Sequence, residues 1–178
     1  MITADNRDLN NPRDLARGVW NDHRTWEECL RIGHLMADEA QRIIADAPIQ
    51  KDPKLVCESL DVKFPVESPI MQAIITGSPL KYTFNPDKSV TSRLNLVNLG
   101  NAQILTIPGE ALPNIGLYLK RKMKTKNAFL FGLTNDAFGY MLTSVDFQSF
   151  PRYEYVSRVS LGENTGDIYI REAMKLLE

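Results

Sequence analysis

Glu110, in the stretch Pro108-Gly109-Glu110, stands immediately before a helical pattern. Free backbone N–H groups and the helix macrodipole keep a carboxylate ionised at such a position. An ionised carboxylate is a ligand for hard and borderline cations. A later apolar run, Ala128 to Leu133, leads into Asn135, Asp136 and then Tyr140, which offer an amide, a second carboxylate and a phenol. The packing alternative makes Glu110 a helix-start charge, Asn135-Asp136 a turn and Tyr140 a core aromatic with a satisfied hydroxyl. Arg152 with Glu154 would orient a substrate or Tyr140, or form an ion pair on a loop. His23 and His34 lack the i, i+4 spacing of helical metal ligands, so His34 is expected to be partly buried and hydrogen-bonded. Cys29 and Cys57 lack a C-x-x-C spacing and sit among apolar neighbours, which predicts two buried free thiols. The basic run Lys120, Arg121, Lys122, Lys124, Lys126 would suit phosphate or lipid headgroups. It reads first as the solvated C-terminal end of a helix, where cations complement the dipole. Trp20 and Trp26 read as packing residues.

These groups depend on the elements that carry them. Thr25 with Glu28 forms a capping box that opens a helix to about Ala45. Trp26, Cys29, Leu30, Gly33, Met36, Ala37, Ala40, Ile43 and Ile44 fall on one stripe at helical spacing. Leu55 to Phe64 predicts a strand that Pro65 closes. Residues 66–89 read as an irregular excursion with one short helix around Ile70 to Ile75, able to form a flap. Val90 to Val97 and Gln103 to Ile107 flank a Gly100-Asn101 turn, a hairpin signature. A helix from about Pro113 to Met123, a buried strand Ala128 to Leu133, a short strand Tyr140 to Thr143 and an amphipathic helix Asp167 to Leu177 complete the reading. The fold class is α/β: a mixed sheet with a β-α-β core and flanking helices, and an incomplete half of a larger domain. The strands of the segment Gln103 to Leu133 are expected to be parallel neighbours joined by a right-handed crossover. Glu110 and the group Asn135, Asp136, Tyr140 then follow the C-terminal ends of adjacent strands, where open α/β sheets bind ligands.

At 178 residues the chain suits one domain, read as a polar lead-in over 1–24 and a single α/β unit over 25–178. Apolar residues at 43% and charged residues at 24% are globular proportions and argue against disorder. With 21 basic and 22 acidic residues the formal charge is −1, which gives no global field for nucleic acid or an anionic membrane. No nucleic-acid partner is expected. No apolar run approaches the roughly 20 residues of a membrane span, and the N-terminus shows no signal or transit peptide. A cytoplasmic location follows as the expectation.

Four stretches in order carry a family likeness. Gln103 to Glu110, running into a helix, resembles the neutral ceramidase family of zinc-dependent amidohydrolases around its strand, Pro-Gly-Glu and helix segment. So do Phe131-Gly132-Leu133-Thr134-Asn135 with Tyr140 five residues on, Arg152-Tyr153-Glu154, and Ser160 to Gly166 before the last helix. Leu96 to Gly100 also fits. The resemblance covers about residues 90–177 and implies that Glu110 and Tyr140 supply two of four zinc ligands. It implies that two histidines and the family's proposed catalytic serine come from upstream of Met1, so the chain is the C-terminal part of the catalytic domain, inactive alone and without tightly bound zinc. Asn135, Asp136 and Arg152 would support the ligands or the substrate. Gly139 stands where the family usually has histidine, and Ala111 where it has a bulky residue. The implied substrate is a small amide or lipid-like molecule, or a related ester. The implied partners are the missing N-terminal part and, through apolar surface left bare, a second copy in a homo-oligomer. The competing reading is a non-catalytic α/β interaction or oligomerisation module, in which Glu110 and Tyr140 point apart or into the core.

Overall fold

A computed structural model of the chain describes residues 25–178, with Arg152 described by its backbone alone. The lead-in at 1–24, with Trp20 and His23, lies outside the described residues. The chain forms two compact units, Met1–Ile49 and Gln50–Glu178.

In the first unit, helix α1 spans Trp26–Asp46, and the Thr25 hydroxyl accepts from the Glu28 N–H at 3.2 Å as the capping box predicts. Ion pairs at i, i+3 and i, i+4 spacing run along it, Arg31 with Glu28 and Arg42 with Glu39 and Asp46. None of its residues is buried by the helix itself, and its apolar stripe includes Trp26 at 71% and Ile44 at 73% exposure. His34 is exposed, against the expectation of partial burial, because helical spacing alone does not cover a face.

The second unit is an α/β layer structure around a four-stranded mixed sheet of order β1-β2-β3-β5. Its strands are β1 (Leu55–Pro65), β2 (Ser89–Leu99), β3 (Ala102–Thr106) and β5 (Asn127–Phe131). The first three pair antiparallel, and β3 and β5 pair parallel, Leu105 opposite Leu130. The β2–β3 hairpin turns at Gly100, whose φ of 57° suits a residue without Cβ. Helix α3 (Pro113–Lys122) joins the parallel pair, and helix α5 (Thr165–Leu177) packs on α3, β1 and β2. Alternation puts Val62, Phe64, Leu94, Leu96 and Leu105 on one sheet face, buried with Ile115 and Leu119 of α3 and Tyr169, Ala173 and Leu177 of α5. Tyr169 is wholly buried, and its hydroxyl donates to the Thr106 carbonyl at 3.0 Å, tying α5 to the end of β3.

The excursion after β1 carries helix α2 (Pro69–Gly77), with Ser68 as its cap and Met71 and Ile75 in the core. Glu67 and Ser68 donate backbone N–H groups to the Leu161 carbonyl at 2.7 and 3.0 Å, which moors the segment to the chain before α5.

Two further expectations on burial are corrected. The run Ala128 to Leu133 is not a buried strand: β5 lies at the sheet edge, with Phe129 and Phe131 exposed on the outer face. Both cysteines are free but exposed rather than buried. Cys57 belongs to an outer-face row, Cys57–Val97–Ile104–Phe129, set by strand register. An apolar neighbourhood in sequence buries a residue only where a second layer covers that face. No helix among the described residues is long and apolar enough to cross a membrane.

Candidate functional site

Beyond β3 the chain passes Ile107-Pro108-Gly109 into a two-residue strand, β4 (Glu110–Ala111). Beyond β5 it loops through residues 132–139 into a second, β6 (Tyr140–Met141), and the two run parallel with Glu110 opposite Tyr140. The Glu110 N–H donates to the Gly139 carbonyl at 2.9 Å and the Leu112 N–H to Met141 at 3.1 Å. Further bonds lace the approach segments together: Leu133 N–H to Gly109, Thr134 N–H to Ile107, and Phe138 N–H to Pro108. Register partners in a β-ladder project to the same face, from strands about 4.8 Å apart. The Glu110 carboxylate and Tyr140 phenol therefore share one face, both half-buried.

Glycine makes the approach possible. A Cβ on Gly109 would lie 2.7 Å from the Gly139 carbonyl oxygen, and one on Gly139 only 2.0 Å from the Val159 carbonyl oxygen. Gly139 also holds φ at 77°. The Tyr140 N–H donates to that same Val159 carbonyl at 2.9 Å, and Tyr140 bridges in parallel to the buried Ser160. A side chain at position 139, histidine included, does not fit this backbone.

Electrostatics couple the pair. Burial first, then the Glu110 charge and then Tyr155, push the Tyr140 phenol above its ordinary range. A nearby carboxylate disfavours a phenolate, and a cation between them would reverse that sign. The Tyr155 ring stands edge-on to Tyr140, centroids 5.9 Å apart and planes at 70°.

Glu110 differs from expectation in one respect. It lies in β4, two residues before the Leu112 N-cap of α3, so strand pairing positions it rather than the first helical turn. Asn135 and Asp136 are not brought to the pair. The Asn135 side chain donates to the Arg93 carbonyl at 2.6 Å, and Asp136 accepts from the buried Ser92 hydroxyl. Tyr82 also bonds Asp136, and its phenol is pushed up by burial, then by that bond and the Asp136 charge. Both residues moor the 132–139 loop to β2 and its preceding segment. Arg152 lies in a 3₁₀ turn, Pro151–Tyr153, before the short helix α4 (Glu154–Arg158).

Among the solved structures, this fold resembles neutral ceramidase from Pseudomonas aeruginosa. The TM-score is 0.64 at 14% sequence identity, over 92% of this chain and 34% of the ceramidase chain. No family model and no curated protein matches the sequence. At this identity the likeness concerns the fold, and the chain spans about one third of the ceramidase's length.

For the zinc that the family likeness implies, the donor set fits in part. A carboxylate and a phenol oxygen on one face suit two positions of a zinc site, and no group of three His, Cys, Asp or Glu among the described residues is placed to hold a metal. Sequence reasoning singled out both residues that the strand pairing brings together. It missed Tyr155 against Tyr140, Ser160 beside it, and the Ser92–Asp136–Tyr82 network, because each depends on contacts between segments far apart in sequence. Gly139 was visible only as a departure from a pattern.

Proposed function

We propose that this chain is the C-terminal part of a ceramidase-like zinc amidohydrolase catalytic domain that cleaves an amide or a related ester. Glu110 and Tyr140 supply two of the metal ligands, and histidines from upstream polypeptide supply the others. The observation that carries this reading is the parallel pairing of Glu110 with Tyr140 just past the C-terminal ends of β3 and β5. Zinc, when bound, acidifies water and polarises a carbonyl. The residues of this chain position the ligands: Gly109 and Gly139 allow the strands to close, Tyr155 packs edge-on against the phenol, and Asn135 and Asp136 fix the loop that delivers Tyr140. By the family likeness Arg152 orients the substrate, a small amide or lipid-like molecule in keeping with the ceramidase neighbour's name.

The supporting arithmetic is that of coordination. A catalytic zinc takes three protein ligands or so, and two oxygens hold it weakly. Calorimetric zinc titration of this chain should give affinity at least about a hundredfold below that of a chain extended upstream to include the histidines. Equally tight binding by both would refute the division of the site.

The apolar outer face favours a second reading, a non-catalytic interaction or oligomerisation module. Leu55, Leu99, Phe129 and Phe131 stand exposed on it. In that case substitutions at Glu110 and Tyr140 leave every binding property of the chain unchanged.

A further inference from the structure

The overall charge of −1 conceals a local concentration of five cations within seven residues, Lys120, Arg121, Lys122, Lys124 and Lys126. All five are exposed. Helix-end electrostatics accounts for Lys120 to Lys122, in the last turn of α3. It does not account for Lys124 and Lys126, which lie beyond the helix. Among the described residues no carboxylate side chain pairs with any of the five. Lys122 sits over the Tyr118 ring at 5.4 Å, and Lys124 donates to a main-chain oxygen of the final residue, Glu178, at 2.7 Å.

The same helix exposes apolar groups beside the charges. Its buried stripe is Ile115, Leu119 and the capping Met123. At about 100° per residue, Leu117 and Arg121 face directly away from that stripe, flanked by Tyr118 and Lys120. Leu117 is 57% exposed and Tyr118 42%. An exposed leucine and tyrosine gain nothing from a free phosphate. Beside a basic cluster they are the composition of a helix that lies on a lipid surface, aromatic and aliphatic groups at headgroup level and cations against anionic lipid.

The geometry points to the outer face of α3, continued through Lys126, as a docking surface for an anionic lipid bilayer. The balanced net charge gives no long-range pull. The attraction acts within a Debye length, about 8 Å at physiological salt, so the local run of cations and not the net charge sets it. This inference stands apart from the hydrolase reading, since it uses neither Glu110 nor Tyr140. A lipid-like substrate would give it a use.

Co-sedimentation tests it, with phosphatidylcholine vesicles alone and with about a third phosphatidylserine. The chain should bind the anionic vesicles, release them as salt is raised, and leave the neutral ones unbound. The variant Lys120→Gln/Arg121→Gln should bind more than about tenfold more weakly, since each cation near such a surface counts for about fivefold. Leu117→Ser, with every cation kept, should also weaken binding severalfold. Because these side chains are exposed, circular dichroism should show an unchanged fold, and the salt dependence of the unaltered chain gives an independent reading. Absence of binding, equal binding to both vesicle types, unaltered binding by either variant, displacement by inorganic phosphate, or tighter capture of a short RNA duplex would each overturn the proposal.

Discussion

Gly139→Ala will disrupt the candidate site and destabilise the unit that carries it, by about 3–5 kcal/mol. The added Cβ would sit 2.0 Å from the Val159 carbonyl oxygen, a backbone atom that cannot swing aside. The substitution also places a side chain at φ 77°. Relief requires β6 to part from residues 159–160, which breaks the Tyr140 N–H bond to Val159 and moves Tyr140 away from Glu110. Gly33→Ala is the matched control. It lies within exposed α1, with nothing inside 4 Å of the added Cβ, and should be neutral or stabilising by up to about 1 kcal/mol. Thermal melts of the two variants would check the contrast. A Gly139→Ala melt matching that of the parent chain would mean that β6 is not held as described.

Removing the Tyr169 ring should be comparably severe. Tyr169→Ala leaves a cavity between α5 and the sheet and is expected to cost about 3–5 kcal/mol. Tyr169→Phe keeps the ring but leaves the Thr106 carbonyl without its donor, at about 1–3 kcal/mol. The pH dependence separates hydroxyl from ring. Burial pushes the Tyr169 phenol far above its ordinary 10.0. A group whose folded pKa exceeds its unfolded value lends stability that is fully present below the unfolded pKa and is lost as pH rises above it. The parent chain should therefore lose stability as pH climbs past about 10, when the unfolded phenol ionises and the folded one does not. Tyr169→Phe, with no proton to lose, should show a shallower alkaline decline. Denaturant unfolding at a series of alkaline pH values measures this, and parallel declines would place the linkage in Tyr82, Tyr140 or another group.

Much of this architecture was legible in the residues, and the boundary of legibility has physical causes. The capping box at Thr25, the Gly100 turn and the parallel β3–β5 pair are local or short-range features, and the folded chain has them. The pairing of Glu110 with Tyr140 was foreseeable because it extends a β-α-β unit whose loops must leave at one end of the sheet. The steric need for Gly139 was not, since it arises from Val159, a residue of a different segment. Burial was the weakest inference. Phe129, Cys57 and the α1 stripe have core composition, yet a periodic pattern states which residues share a face and not whether anything covers it. The resemblance singled out Glu110 and Tyr140, and strand register explains why they meet.

The most direct test of the central claim is a cobalt(II) titration followed by paramagnetic broadening of the backbone amide signals, a method that detects even weak binding. Glu110 and Tyr140 should broaden together at the lowest cobalt concentrations, and Glu110→Gln or Tyr140→Phe alone should abolish the effect at both positions. Broadening confined to other carboxylates, or persisting at one of the two positions when its partner is replaced, would contradict a shared ion.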